Sequence, residues 1–164
     1  MAIGLGRFLG FRLPENFNAP YLKPNLTQFW SSWHMTLTQW FRSYYFNPVN
    51  RALRSGSRQL PTYLLILITQ TTTMILIGLW HGITVNYFLW GLWHGIGLFV
   101  QNRWSDFMKG RMPAGQTPGT AQALLKIVNP FLTFNYVSLG WLFFILPAPS
   151  LAWDAFLKLF IVSL

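Results

Sequence analysis

The sequence predicts an all-α, polytopic transmembrane protein, and three observations carry that reading. No Asp, Glu, Lys or Arg occurs anywhere in residues 59–102. Charged residues make up 9% of the chain, against roughly 25% in an average soluble one. Over residues 26–46 the apolar positions recur at intervals of three and four, as one face of a helix requires. With 52% hydrophobic and 18% aromatic residues, a soluble fold would lack the polar side chains to cover its surface.

The elements follow in order. Residues 12–25 (RLPENFNAPYLKPN) are rich in Pro and Asn and read as a loop. Asn25 follows Pro24 and precedes the periodic segment, so it fits a helix N-cap. An amphipathic helix is expected over residues 26–46. Its apolar face runs through Leu26, Phe29, Trp30, Trp33, Leu37, Trp40, Phe41 and Tyr44, with His34 inside the stripe. One charge and three tryptophans on such a helix suit the membrane interface or a groove between spans. Pro48 is expected to end it, because the residue before a proline is pushed out of helical geometry. Residues 47–60 then read as a short basic loop. Residues 61–80 are uncharged and mostly apolar, enough at about 1.5 Å per residue to cross a hydrocarbon core of about 30 Å. Gly82 permits a break, and a second span is expected over residues 84–101. Residues 102–125, with a Gly- and Pro-rich centre, read as a loop. A third span is expected over residues 127–146, with Pro130 near its start. After a Pro147-Ala148-Pro149-Ser150 turn, residues 151–164 read as an apolar helix too short to cross alone. Together these make one membrane domain over residues 1–164.

The formal net charge of +9 does not point to nucleic acid. Arg51, Arg54, Arg58, Arg103 and Lys109 flank the charge-free stretch, where basic loops are retained in the cytoplasm and favour anionic lipid headgroups. This fits a hairpin with both ends cytoplasmic. Gly4, Gly6 and Gly10 lack dinucleotide-fingerprint spacing. Gly6 and Gly10 suit either close helix packing or a tight loop. There is no cysteine, which excludes disulfides, thiolate metal sites and a cysteine nucleophile within the chain.

One hexapeptide occurs twice: Gly78-Leu79-Trp80-His81-Gly82-Ile83 and Gly91-Leu92-Trp93-His94-Gly95-Ile96. Two of the three histidines thus fall where charge is otherwise excluded, and an ionisable group in a membrane is a functional-site candidate. Three readings stand beside one another. A histidine can be structural, donating one ring proton to a backbone carbonyl. A metal site would have to be assembled from distant segments, since no two histidines stand at i, i+3 or i, i+4 and the only carboxylates are Glu15, Asp106 and Asp154. Acid–base chemistry is the third, because imidazole titrates near neutrality. Gly82 beside His81 leaves room for a substrate atom, the Trp80 indole can wall the site and donate, and Asn86 is the nearest neutral donor. No serine sits in a G-x-S-x-G elbow, so direct transfer is expected: a histidine deprotonates a hydroxyl, which attacks an activated acyl group.

Phe29-Trp30-Ser31-Ser32-Trp33-His34-Met35-Thr36-Leu37 resembles the F-W-x-x-W-H-x-S-L motif of membrane-bound O-acyltransferases, in the bacterial alginate O-acetylation and D-alanyl transfer branch. Gly78-Leu79-Trp80-His81-Gly82 resembles that branch's second histidine motif. Residues 1–18 and Leu139-Gly140-Trp141-Leu142-Phe143-Phe144 resemble its flanking segments. The resemblance implies part of a helical funnel in the bacterial cytoplasmic (inner) membrane, the C-terminal part of a longer chain. It implies O-acyl transfer, in particular O-acetylation, to hydroxyls of a cell-surface polysaccharide. It makes His81 the catalytic base, His34 a second functional histidine and His94 secondary or structural. Beside them, Trp80, Asn86 and Trp33 are expected to bind substrate. The donor would be acetyl-CoA or another acyl thioester, with no metal and no bound cofactor. Partners would be the lipid bilayer, the polysaccharide acceptor and periplasmic acyltransferases. Three departures stand out: Thr36 replaces the usual Ser, Ser31 and Ser32 stand where Arg is frequent, and Ile145-Leu146-Pro147 replaces an Arg. The alternatives are a non-catalytic membrane subunit that binds a partner acyltransferase or conducts substrate, and a metal-dependent membrane enzyme.

Overall fold

The computed structural model describes residues 2–56, 60–111 and 119–161. Arg58 and the Gly- and Pro-rich residues 112–118 lie outside the described residues. Helices dominate, and among the described residues there is no strand.

Three long helices form the body: α5 (Thr62–His81), α6 (Val85–Arg111) and α7 (Gly119–Ile145), named here with their place in the chain order. Before them come α1 (Ala2–Phe8), α2 (Leu26–Ser32), α3 (Met35–Phe41) and α4 (Asn47–Ser55); after them comes α8 (Pro149–Phe160). A short 3₁₀ turn, Pro20–Leu22, precedes α2. α5 and α6 form an antiparallel hairpin, α7 packs on α6, and α8 folds back on α7. α2 lies against α6, and the 3₁₀ turn lies against α7.

The repeated hexapeptide's glycines make the hairpin. A Cβ on Gly95 would stand 2.6 Å from the Thr71 Cα, and one on Gly91 2.6 Å from the Ile75 Cα. Gly78 faces the Tyr87 backbone in the same way. Only a residue without a side chain lets two helix backbones approach so closely, which is how helices associate where water supplies no hydrophobic drive. The core beside this seam holds Phe29, Trp30, Met74, Ile77, Trp90 and Val137.

α5 and the Gln122–Ile145 part of α7 are long and apolar enough to cross a membrane, with mean hydropathy 1.7 and 1.3. Only 28% and 17% of those apolar stretches are buried, so most of the side chains face outward. That suits lipid as the surrounding medium, whereas the central helix of a soluble core would be mostly buried. α6 covers the expected second span but does not meet the same measure, because its glycines, histidine, tryptophans and polar C-terminal turns lower the hydropathy.

Several sequence expectations need correction. The helix expected over residues 26–46 is broken at Trp33 and His34, and its last turn, Arg42–Phe46, is widened into π geometry. Leu26, Phe29 and Trp30 of the first piece and Leu37 and Phe41 of the second reach the same core, while Trp40 and Tyr44 of the expected stripe are exposed. Pro48 does not end the helical path: Phe46 and Asn47 before it keep right-handed helical geometry, the turn ahead of it is widened, and the expected loop over 47–60 is helical to Ser55. The loop expected over residues 102–125 is likewise mostly helix. α6 runs on to Arg111, aided by an Arg103–Asp106 ion pair of 2.7 Å, and α7 begins at Gly119. Pro130 therefore stands inside α7, not near its start. Pro149 lies at the start of α8 rather than in a turn. The Asn25 cap is as expected: its Oδ1 accepts from the Gln28 N–H at 2.8 Å. Gly10 ends α1 with φ +81, and the Phe11 N–H reaches back to the Gly6 carbonyl at 2.8 Å, so its role is a helix stop.

Gly91→Ala and Gly95→Ala should each lower the thermal unfolding midpoint of detergent-purified protein, by the about 1–3 kcal/mol typical of overpacking. Gly110→Ala, where an added Cβ meets nothing within 4 Å, should leave it unchanged or raise it.

Candidate active site

His81 is the last residue of α5, and Gly82 turns the chain toward α6. A Cβ on Gly82 would stand 2.7 Å from the Tyr87 ring, so the glycine lets Tyr87 pack under the turn. The His81 imidazole meets Phe144 edge-on at 5.0 Å between centroids and lies 5.9 Å from Trp90. α7 thus supplies one wall and α6 the other.

His34 reaches the same place by a different route. Trp33 leaves α2 in extended geometry, and His34 takes the left-handed conformation (φ 45, ψ 53) before α3 begins. A non-glycine residue there costs about 1–2 kcal/mol, so the surroundings must hold it. The break swings His34 toward the end of α5. Its ring lies 6.2 Å from that of Trp80, which in turn lies 4.8 Å from His81.

The two histidines, 47 residues apart in sequence, line one cavity of about 220 Å³. Trp30, Trp33, Trp90, Trp141 and Phe144 form most of its wall, and Phe17 comes from the N-terminal loop. Trp33 stacks on Phe29 at 5.6 Å, with 15° between the planes. The cavity is therefore an aromatic box whose ionisable groups are two imidazoles, with the Thr38 hydroxyl beside them. A second cavity of about 260 Å³ shares Trp30, Thr38 and Ile77 with the first. Arg42, Gln70 and Thr73 give it a polar side.

The other sequence candidates fall elsewhere. Trp80 is 56% exposed and touches both histidines from outside without lining the cavity. Asn86 is buried, and its amide donates to the Leu146 carbonyl, tying the start of α6 to the end of α7. It lines a groove with Leu146 and Pro147, not the histidine cavity. His94 is fully buried between Trp30 and Trp90, both at 5.0 Å, and neither ring nitrogen has a partner among the described residues. A Cβ on Gly140 would come within 2.7 Å of its Nε2, so α7 closes over it. Among the described residues no three His, Cys, Asp or Glu side chains gather as a metal site would need.

Residue-by-residue reading missed Phe17, Trp90, Trp141 and Phe144 as cavity walls. Trp141 and Phe144 lie in the quoted Leu139–Phe144 segment, so a signal for them existed. Phe17 lies in the quoted 1–18 segment, whose residues read locally as loop and gave no reason to aim that ring at the site.

The sequence profile of the membrane-bound O-acyltransferase family matches residues 2–146. The chain belongs to the membrane-bound O-acyltransferase family. Among curated relatives of the chain is the "Probable alginate O-acetylase AlgI" of Pseudomonas aeruginosa, 34% identical over 98% of the chain and 27% of that protein. The teichoic acid D-alanyltransferase of Streptococcus thermophilus is 31% identical over 87% of the chain and 35% of its own length. The peptidoglycan O-acetyltransferase of Helicobacter pylori is 34% identical over 88% and 24%. The chain thus spans about a quarter to a third of the length of these relatives.

His94→Ala should empty a packed site and cost about 2–5 kcal/mol, by analogy with other large-to-small core changes. Membrane-fraction immunoblots should show lowered abundance.

Proposed function

We infer that this chain carries the reaction cavity of a bacterial inner-membrane O-acyltransferase, moving an acyl group, in particular acetyl, to hydroxyls of a cell-surface polysaccharide. The observation that carries the reading is the single cavity lined by both His34 and His81 in a member of this family. The names of the relatives, which transfer acetyl or D-alanyl groups in alginate, peptidoglycan or teichoic acid systems, support the acceptor class. The outward apolar faces of α5 and α7 support the membrane setting.

In this reading His81 is the general base. Its imidazole takes the proton from the acceptor hydroxyl, and the oxygen attacks the carbonyl carbon of an acyl thioester. The carbon–sulfur bond breaks, and the departing thiolate takes the proton from the imidazolium. Such base catalysis contributes typically about 10²–10⁴-fold. His34, across the cavity, donates to or orients the donor's carbonyl. The aromatic walls exclude water, which would otherwise hydrolyse the thioester. The adjoining cavity, with Arg42, Gln70 and Thr73, offers polar partners for the chain that carries the thioester. Trp33 walls the cavity, the exposed Trp80 flanks both histidines from outside, and Asn86 acts by holding α6 to α7 rather than by touching substrate.

The test places alleles at the native chromosomal locus and measures alkali-released acetate from envelope polysaccharide. His81→Ala should keep normal membrane abundance and lose about 100-fold or more of the transfer. Wild-type acetate in that strain would sink the assignment and favour a non-catalytic subunit.

A further inference from the structure

The break that brings His34 into the cavity is held from outside its own helices. His34 is the N-cap of α3, and its side chain makes no capping bond. The free N–H groups at a helix start need acceptors. Here they come from the N-terminal loop: the Met35 N–H donates to the Asn16 carbonyl at 2.9 Å, and the Thr36 N–H to Asn16 Oδ1 at 3.1 Å. The Thr36 hydroxyl donates to the same Oδ1 at 2.6 Å. Two residues on, the Asn18 N–H donates to the Ser32 carbonyl at 3.0 Å, so the far side of the break is held as well. Phe17, between these two, packs edge-on against Trp33 at 5.0 Å, lies 6.0 Å from His34 and lines the cavity.

We propose that Asn16 is a positioning residue for His34, capping α3 in trans so that the left-handed turn at His34 persists. The side-chain oxygen satisfies two donors of Thr36 while the backbone carbonyl satisfies Met35. The arrangement fixes both residues that follow the imidazole-bearing one. It also gives position 36 a chemical requirement, a hydroxyl, which serine meets as well as threonine. Asn16 touches no reacting atom; it acts through His34. The proposal rests on the reading that His34 works in acyl transfer.

The experiment uses the native-locus strains and the alkali-released acetate assay, together with His34→Ala. Asn16→Ala should cut transfer per molecule by about tenfold to a hundredfold, the scale expected when a functional group is displaced by about 1 Å. Thr36→Val should lower it less, and Thr36→Ser should stay within about twofold of wild type, as a change that keeps the bond. Asn16→Asp keeps an acceptor oxygen and should recover most of what alanine loses. A second readout addresses His34 itself: its carbethoxylation by diethyl pyrocarbonate in membranes, followed by mass spectrometry. The rate should change in Asn16→Ala and Thr36→Val and match wild type in Thr36→Ser. Loss of transfer in His34→Ala with wild-type transfer in Asn16→Ala would overturn the positioning role and leave the site reading standing. Wild-type transfer in His34→Ala would overturn both. An unchanged His34 modification rate in Asn16→Ala would show that any lost activity arises elsewhere, and would also overturn the proposal.

Discussion

Backbone contact between α5 and α6 fixes where every other group sits. Gly78, Gly91 and Gly95 each put one helix's Cα surface directly on the other's backbone. That register sets Trp90 beneath the end of α5 and so gives His81 its floor. It also presents Trp90 and His94 on α6, against which α2 packs Trp30. Without the close approach, neither the aromatic box nor the seat of His94 would have its walls. The rest of the packing adds side chains to a frame that small residues define.

The helical, lipid-facing character was legible because it rests on composition and on a charge-free stretch, which no tertiary contact overrides. The Asn25 cap was legible for the same reason: it is a local bond. The turn at Trp33 and His34 was not. It leaves no mark in the 3–4 spacing, and its stabilising partner Asn16 lies some twenty residues upstream in a segment whose local sequence reads as loop. Helix ends were misjudged where polar or proline-containing sequence suggested a loop. Pro48 and Pro149 lie in first turns, and the polar end of α6 keeps its charges on an exposed surface.

The candidate site was half legible. Motif resemblance singled out His34 and His81, and the fold brings their rings around one cavity. The roles of the neighbours depended on direction, which sequence does not record. Asn86 stands only five residues beyond His81, yet one turn of chain aims it at the end of α7. Trp80 adjoins His81 in sequence but faces outward, while Trp141, sixty residues away, faces in.

The two copies of the hexapeptide obey different rules of replacement. His94 is packed on all sides and among the described residues neither ring nitrogen has a partner, so that position discriminates by size and shape. His81 stands at a helix end and lines a cavity, and in the proposed reaction that position would discriminate by what the ring can do with a proton. A side chain of similar bulk would satisfy the first and fail the second. One six-letter word is thus sealed in packing in the middle of one helix and opens on a cavity at the end of another.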